Sequence, residues 1–276
     1  MMLVCTSFFF VHAETMQQAE VVIEPKRPGP GDIAVITLKG VTGPVEGIFN
    51  GKTLYFNVVP ASQNTFQAIL GIDLFTAPGD YGLDVNADGA KFHHTVTVSK
   101  KKYPVQRLTL PEGMVVLSPE NEARVEREQK VMAAVWPRES ARVWSGNFIN
   151  PRDGRISTIF GIKRVINKVP KSPHTGVDVS AKEGAEVRAP NNGITVLTDE
   201  QFYTGNCIVL DHGQGIYTMF FHLSKLLVKP GQEVKKGDVI GLVGSTGRST
   251  GPHLHWGVRI QGARVDPLEL IHLRLE

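Results

Sequence analysis

From residue 140 to the end, no stretch of the chain carries long helical periodicity. Short β-branched runs sit between glycines and prolines instead, among them Ile194-Thr195-Val196, Ile208-Val209-Leu210 and the run from Val239 to Val243. A chain punctuated in this way favours short strands joined by Gly-rich turns.

The first part of the chain carries a related signature. Asn50-Gly51 lies between Ile48-Phe49 and Leu54-Tyr55-Phe56, and Asp88-Gly89 lies between Tyr81-Gly82-Leu83 and the alternating run Thr95 to Val98. Both dipeptides favour type I′ hairpin turns, whose two central residues need positive φ. Several strands at this spacing predict a β-sandwich over 15–104, immunoglobulin-like in general shape. His93 and His94 fall here, but neighbours on a strand face opposite sides and make a poor metal pair.

Between the two β regions, residues 105–139 read as a linker containing one helix over about 118–134. Ser118 suits the N-cap, Pro119 the first helical position, and Glu120 and Glu122 the positive end of the helix dipole. The helix is highly charged with few apolar positions, which predicts a connector and not a core element. Residues 140–276 form the second domain.

The first thirteen residues are apolar and end in Val11-His12-Ala13, a small-residue cleavage pattern. We read residues 1–13 as a signal peptide, short and without a positive start. That points to an exported chain, in the periplasm or cell envelope, and no later run is long and apolar enough to span a bilayer. A net charge of +3 is too small to argue for nucleic acid, and no finger or helix-turn-helix spacing appears. Of the two cysteines, Cys5 lies in the leader, and Cys207 in an Ile-Val-Leu run reads as a core residue.

The chemistry-bearing residues are histidines. No His-Glu-x-x-His, Cys-x-x-Cys, phosphate loop or Gly-x-Ser-x-Gly is present. Two spacings remain, His174-Thr-Gly-Val-Asp178 and His253-Leu-His255. Along 253–260, Leu254, Trp256, Val258 and Ile260 alternate with His253, His255, Gly257 and Arg259. On a strand the first set enters a core and the second projects together from the other side. Two His and one Asp supply three ligands of a zinc site, leaving one position open for water, as hydrolysis requires.

Taken one by one, each residue also has a plainer reading. His253 and His255 fit the wet face of an amphipathic strand, and Asp178 fits a turn cap. His174 fits a surface loop, His222 a hydrogen-bonded core position, and His212 a turn between strands.

The whole segment from Ser157 to Pro267 resembles the LytM and lysostaphin-type zinc peptidases of the M23 class. The match includes Phe160-Gly161, His174 to Asp178, Val187-Arg-Ala-Pro190, Asp211-His212-Gly213, and Phe221-His222-Leu223-Ser224. It continues through Gly237 to Gly241, Gly251-Pro252-His253-Leu254-His255 and Val265-Asp266-Pro267. The resemblance implies an antiparallel β-sheet with a groove whose floor carries Zn2+. It implies that His174, Asp178 and His255 bind the metal, while His222 and His253 flank it as catalytic residues. It also implies cleavage of peptide bonds in peptidoglycan stem peptides or crosslinks.

Two other functions stay open: a non-catalytic envelope-binding or regulatory protein, with an envelope regulator as its partner, and a peptidase on glycine-rich proteins. The β-domain would position the enzyme or shield its groove. The basic stretch Lys163, Arg164, Lys168 and Lys171 reads as a solvated loop that could receive substrate carboxylates.

Overall fold

The computed structural model describes residues 19–109 and 117–274. The expected leader over 1–13 lies outside the described residues.

The first eight strands are β1 (Glu20–Glu24), β2 (Ile33–Lys39), β3 (Val45–Phe49), β4 (Lys52–Tyr55), β5 (Asn57–Val59), β6 (Ser62–Gly71), β7 (Gly79–Ala87) and β8 (Ala90–Val98). They form two four-stranded sheets, β1-β2-β6-β5 and β4-β3-β7-β8. Ile36, Leu38, Leu70, Leu83, Val85 and Val96 fill the space between them. The sandwich expected from the sequence is therefore present. Both hairpin turns are as expected: Asn50 and Gly51 have φ of 47° and 76°, and Asp88 and Gly89 have 50° and 76°. His93 lies at an exposed position with its Nδ1 2.7 Å from Asp84 Oδ1, away from any cluster.

The connector is followed by β9 (Val105–Leu108) and α1 (Pro119–Ala133). Then come β10 (Ile156–Thr158), β11 (Lys163–Ile166), β12 (Val169–Lys171), β13 (Gly176–Ser180), β14 (Glu186–Arg188), β15 (Gly193–Gln201) and β16 (Gly205–Gly213). The chain closes with β17 (Ile216–Leu226), β18 (Glu233–Val234), β19 (Val239–Val243), β20 (His253–Ile260), β21 (Ala263–Val265) and α2 (Pro267–His272). A ten-stranded sheet runs β10-β13-β20-β17-β16-β15-β18, with β14, β19 and β21 attached at its margins. Its named pairings are antiparallel. Leu254, Trp256, Val258 and Ile260 all point into one core with zero exposure.

The basic stretch differs from expectation. Lys163, Arg164 and Lys171 are strand residues of the β11–β12 hairpin, with Asn167 and Lys168 at φ of 50° and 66° in its turn. The connector is not all linker either. Its β9 pairs in parallel with β11, Val105 opposite Lys163 and Arg107 opposite Val165.

α1 starts as the sequence indicates, with Ser118 Oγ accepting from Asn121 N at 3.3 Å and Pro119 at the first position. Yet it docks on the second domain. Arg124 bridges Glu128 and Glu200, and Glu128 accepts from Phe202 N at 2.8 Å. The following Val135 and Trp136 pack with Val209, Tyr217 and Met219, covering the second face of the large sheet.

The two β regions share a core. Ile33, Ile69 and Leu74 of the sandwich cluster with Phe160, Ile260 and Val265. A Cβ on Gly71 would meet Ile260, Ala263 and Val265 at 3.0–3.1 Å, so the end of β6 lies in close contact with β20 and β21. Glu269 accepts from Ile33 N at 2.6 Å, and Arg264 pairs with Asp73 at 3.2 Å.

Candidate metal centre

Strand pairing assembles the site. β20 lies between β13 and β17, so His255 stands directly opposite Asp178 on one side and Phe221 on the other. Residues paired across an antiparallel ladder share a face. His174, two residues before β13, is held by backbone bonds in both directions. Its N–H donates to Ile162 O at 3.0 Å and its carbonyl accepts from Gly161 N at 2.8 Å.

His222 reaches the same face through an irregularity. Asn206 pairs with Leu223 and Ile208 with Phe220, which leaves one extra residue on β17. His222 takes φ of 63° there. A bulge of this kind re-aims a side chain that strict alternation would send to the opposite face. Phe221 and His222 thus both border the site. The Phe221 ring stacks on His255 with centroids 5.1 Å apart and planes 3° apart, and His222 lies 4.8 Å from His253. No local sequence signal marks this bulge.

The structure therefore brings together all five residues singled out in the sequence. His174 Nε2, His255 Nδ1 and Asp178 Oδ1 lie 2.9–3.0 Å from one another. His174 Nδ1 lies 3.0 Å from Ile159 O, a carbonyl that can only accept, so Nδ1 carries the proton and Nε2 presents a lone pair. Three atoms that can each ligate a metal then lie close together, an arrangement that a cation satisfies. A tetrahedral zinc at ~2.0–2.2 Å from its ligands spaces them by roughly 3.3–3.5 Å, a few tenths more than found here. The donor set fits such an ion, with the Ile159 carbonyl fixing the tautomer of His174.

Electrostatics agree with that reading. Burial alone would raise the Asp178 carboxyl, but the His174 and His255 imidazoles outweigh it and hold the group well below the usual carboxylate range. Burial pushes His255 down to about 4, against the opposing pull of Asp178. Burial also lowers His222, opposed by its contact with Thr246 O. The shifts favour neutral imidazoles at His255 and His222 and a carboxylate at Asp178, the forms a metal needs.

His222 Nδ1 lies 2.8 Å from Thr246 O and His253 Nδ1 lies 2.8 Å from Gly251 O. In both rings the Nδ1 proton is committed to a carbonyl, so Nε2 is the free basic atom. His253 Nε2 lies 3.8 Å from Asp178 Oδ1.

Beside His255 a cavity of about 210 Å³ opens, walled by Val125, Met132 and Trp136 on one side and Thr175, Met219 and Phe221 on the other. The supposed wet face of β20 is thus covered: His255 is 8% exposed and Arg259 sits under Trp136, 4.5 Å from its ring centroid. Burial lowers Arg259 to about 10. Its role went unread in the sequence, although it is in phase with His253 and His255.

The other candidates lie apart from this cluster. His212 is a fully buried core residue and not a turn residue, with Nδ1 2.6 Å from Asn192 O and Nε2 2.8 Å from Thr218 Oγ1. Cys207 is buried, and its burial raises the thiol to about 12, as fits a core position.

Comparison with known proteins agrees with the geometry. Residues 172–267 match the model of peptidase family M23. The chain is similar to the peptidoglycan DD-endopeptidase ShyA of Vibrio cholerae, 42% identical over 117 residues, which is 42% of this chain and 27% of that protein. It is also similar to the DD-carboxypeptidase/endopeptidase Mpg of Neisseria meningitidis, 40% identical over 116 residues, again 42% of this chain and 27% of the relative. The aligned part thus spans about a quarter of the length of these relatives. A crystal structure from Pseudomonas aeruginosa, assigned to peptidase M23, superposes with a TM-score of 0.72 at 34% identity. It covers 89% of this chain and 95% of its own.

Proposed function

Starting from the fact that the chain belongs to peptidase family M23, we propose that it is a zinc-dependent endopeptidase acting on peptide bonds of peptidoglycan. The observation that carries this reading is the convergence of His174 Nε2, His255 Nδ1 and Asp178 Oδ1 at 2.9–3.0 Å, with two further imidazoles at its border. A protein that only binds cell wall has no use for such a set.

In this reading His174, Asp178 and His255 hold the metal. A zinc ion bound there supplies a Lewis acid that polarises the scissile carbonyl and makes water acidic near neutrality. His222 and His253 handle protons. With Nδ1 tied to a carbonyl, each Nε2 can accept a proton from water and later return one to the leaving amine, or donate to the developing oxyanion. The lowered basicity of His222 keeps it unprotonated at neutral pH. Phe221, stacked on His255, excludes water from one side of the ligand set.

The named activities of the relatives support peptidoglycan as the substrate class and the cell envelope as the place of action. Among the described residues no helix is long and apolar enough to cross a membrane. The reading is tested by digesting purified sacculi and identifying products by mass spectrometry. Cleaved crosslinks that vanish with a chelator and return with zinc are expected. Undiminished hydrolysis by metal-free protein, or intact sacculi beside rapid cleavage of pentaglycine, would overturn it.

A further inference from the structure

A second cleft lies between the sandwich and the small sheet β12-β11-β9. Its volume is about 720 Å³. Parallel pairing sets Lys163 opposite Val105 and Val165 opposite Arg107, and paired residues share a face, so these four side chains line it together. Leu74, Phe75 and Pro78 of the β6–β7 connection form the facing wall, and Lys100 to Tyr103 close one end.

The charge of this cleft is one-sided. Lys100, Lys102, Arg107 and Lys163 line it, and among the described residues no Asp or Glu does. Among the described residues none of these four has a carboxylate within ion-pair distance; the neighbouring Lys101 is paired, with Asp32 and Glu269. The whole chain carries a net charge of only +3, so this is a local concentration and not a property of a basic protein. Like charges gathered in a concave site repel one another and focus a positive potential that attracts anions.

We propose that this cleft binds acidic peptide, namely the carboxylate-bearing segments of the polymer that is cut at the metal centre. The inference rests on the substrate reading above. Two observations select peptide over other anions. Both walls carry exposed apolar surface, with Phe75 58% and Val105 49% exposed, which suits chains carrying both methyl and carboxylate groups and leaves a bare phosphate polymer without use for it. The site is recessed, so a flat bilayer cannot enter it.

The cleft also adjoins the metal centre. Pro173 lines the cleft, Thr175 lines the cavity beside His255, and His174 stands between them. On the other flank Arg264 lines that cavity, and its guanidinium sits 5.0 Å from the ring centroid of Phe75, which lines the cleft. An extended peptide advances roughly 3.3–3.6 Å per residue, so a chain bound in one can continue into the other.

The test uses the full chain. Lys100, Arg107 and Lys163 are exposed, so Lys100→Glu, Arg107→Glu and Lys163→Glu are combined in one variant. Binding is read by co-sedimentation with purified sacculi, in a His253→Ala background that leaves them uncut. The sacculi are used native or with carboxylates amidated by carbodiimide; phosphatidylglycerol vesicles form a separate arm. Amidation and the triple substitution are each expected to weaken binding by about tenfold or more. In the otherwise native enzyme, the triple substitution leaves cleavage of a short uncharged crosslinked peptide within about twofold and slows sacculus digestion. If charge reversal prevents folding, the Arg107→Gln, Lys163→Gln pair replaces it, with a smaller loss in the same direction. Binding that ignores both amidation and substitution overturns the proposal. So does vesicle binding that the substitution abolishes while sacculus binding persists. Carboxylate-dependent binding without cleavage by the native enzyme would sink the substrate reading and leave the cleft's assignment standing.

Discussion

His174 and His255 meet through unlike nitrogens, Nε2 of the first lying 3.0 Å from Nδ1 of the second. The pairing follows from where each backbone runs. His255 projects from mid-strand opposite Asp178, whereas His174 comes from the segment before β13 with its far nitrogen tied to Ile159 O. Replacing His255 or Asp178 by Ala removes one of the three proposed ligands. Metal content by elemental analysis should fall from about one ion per chain to below about a tenth. His222→Ala and His253→Ala should keep the metal and lose about 10²–10⁴ in hydrolysis rate. Metal loss in the second pair equal to that in the first would reverse the assigned roles.

Gly161 occupies φ of 78°, and a Cβ there would lie 2.2 Å from the Tyr103 ring. The same residue donates its N–H to His174 O. Gly161→Ala should cost about 2–4 kcal/mol through strain and overpacking, and weaken metal binding by displacing His174. Urea titration and zinc competition measure the two effects. A variant as stable as the parent would show that Tyr103 moves aside freely.

Trp136 stands edge-on to Tyr217 at 5.5 Å and covers Arg259. Trp136→Ala should cost about 2–3 kcal/mol, since the ring is half-buried, and lower Tm by about 5–10 °C. The proposed metal ligands stay, so KM for peptide should rise more than kcat falls. An unchanged KM would mean that the wall built by α1 plays no part in holding substrate.

His212 is lowered by burial to about 4 from an ordinary 6.5, only partly offset by its contact with Asn192 O. The folded state therefore resists a proton that the unfolded chain accepts. Stability is full above about pH 6.5 and declines toward pH 4, by up to about 3 kcal/mol from this residue. Its imidazole resonances should titrate near 4 by NMR. A midpoint near 6.5 would contradict the burial seen here.

Leu254, Trp256, Val258 and Ile260 announced β20 because alternation is a local property, and the His253–His255 pairing followed from it. The Asn50-Gly51 and Asp88-Gly89 turns were legible for the same reason. His222 was not placed by pattern, because a bulge at Phe221-His222 breaks the alternation that pattern-reading assumes. The cover on the second face was missed too. α1 has few apolar positions, and its docking relies on Arg124, Glu128 and the Val135-Trp136 turn beyond its end. β9 left no trace because its partner lies 58 residues on, and a parallel pairing of that separation has no local signature.

That parallel pairing limits how the chain can be divided. Cutting at residue 140 would remove β9 and leave β11 as a bare sheet margin, its N–H and C=O groups open to any passing strand. It would also uncover Phe160 and Ile260, which the sandwich now shields through Ile33 and Leu74. The isolated C-terminal part would be prone to self-association, and any change in its activity would report that association together with the loss of the sandwich.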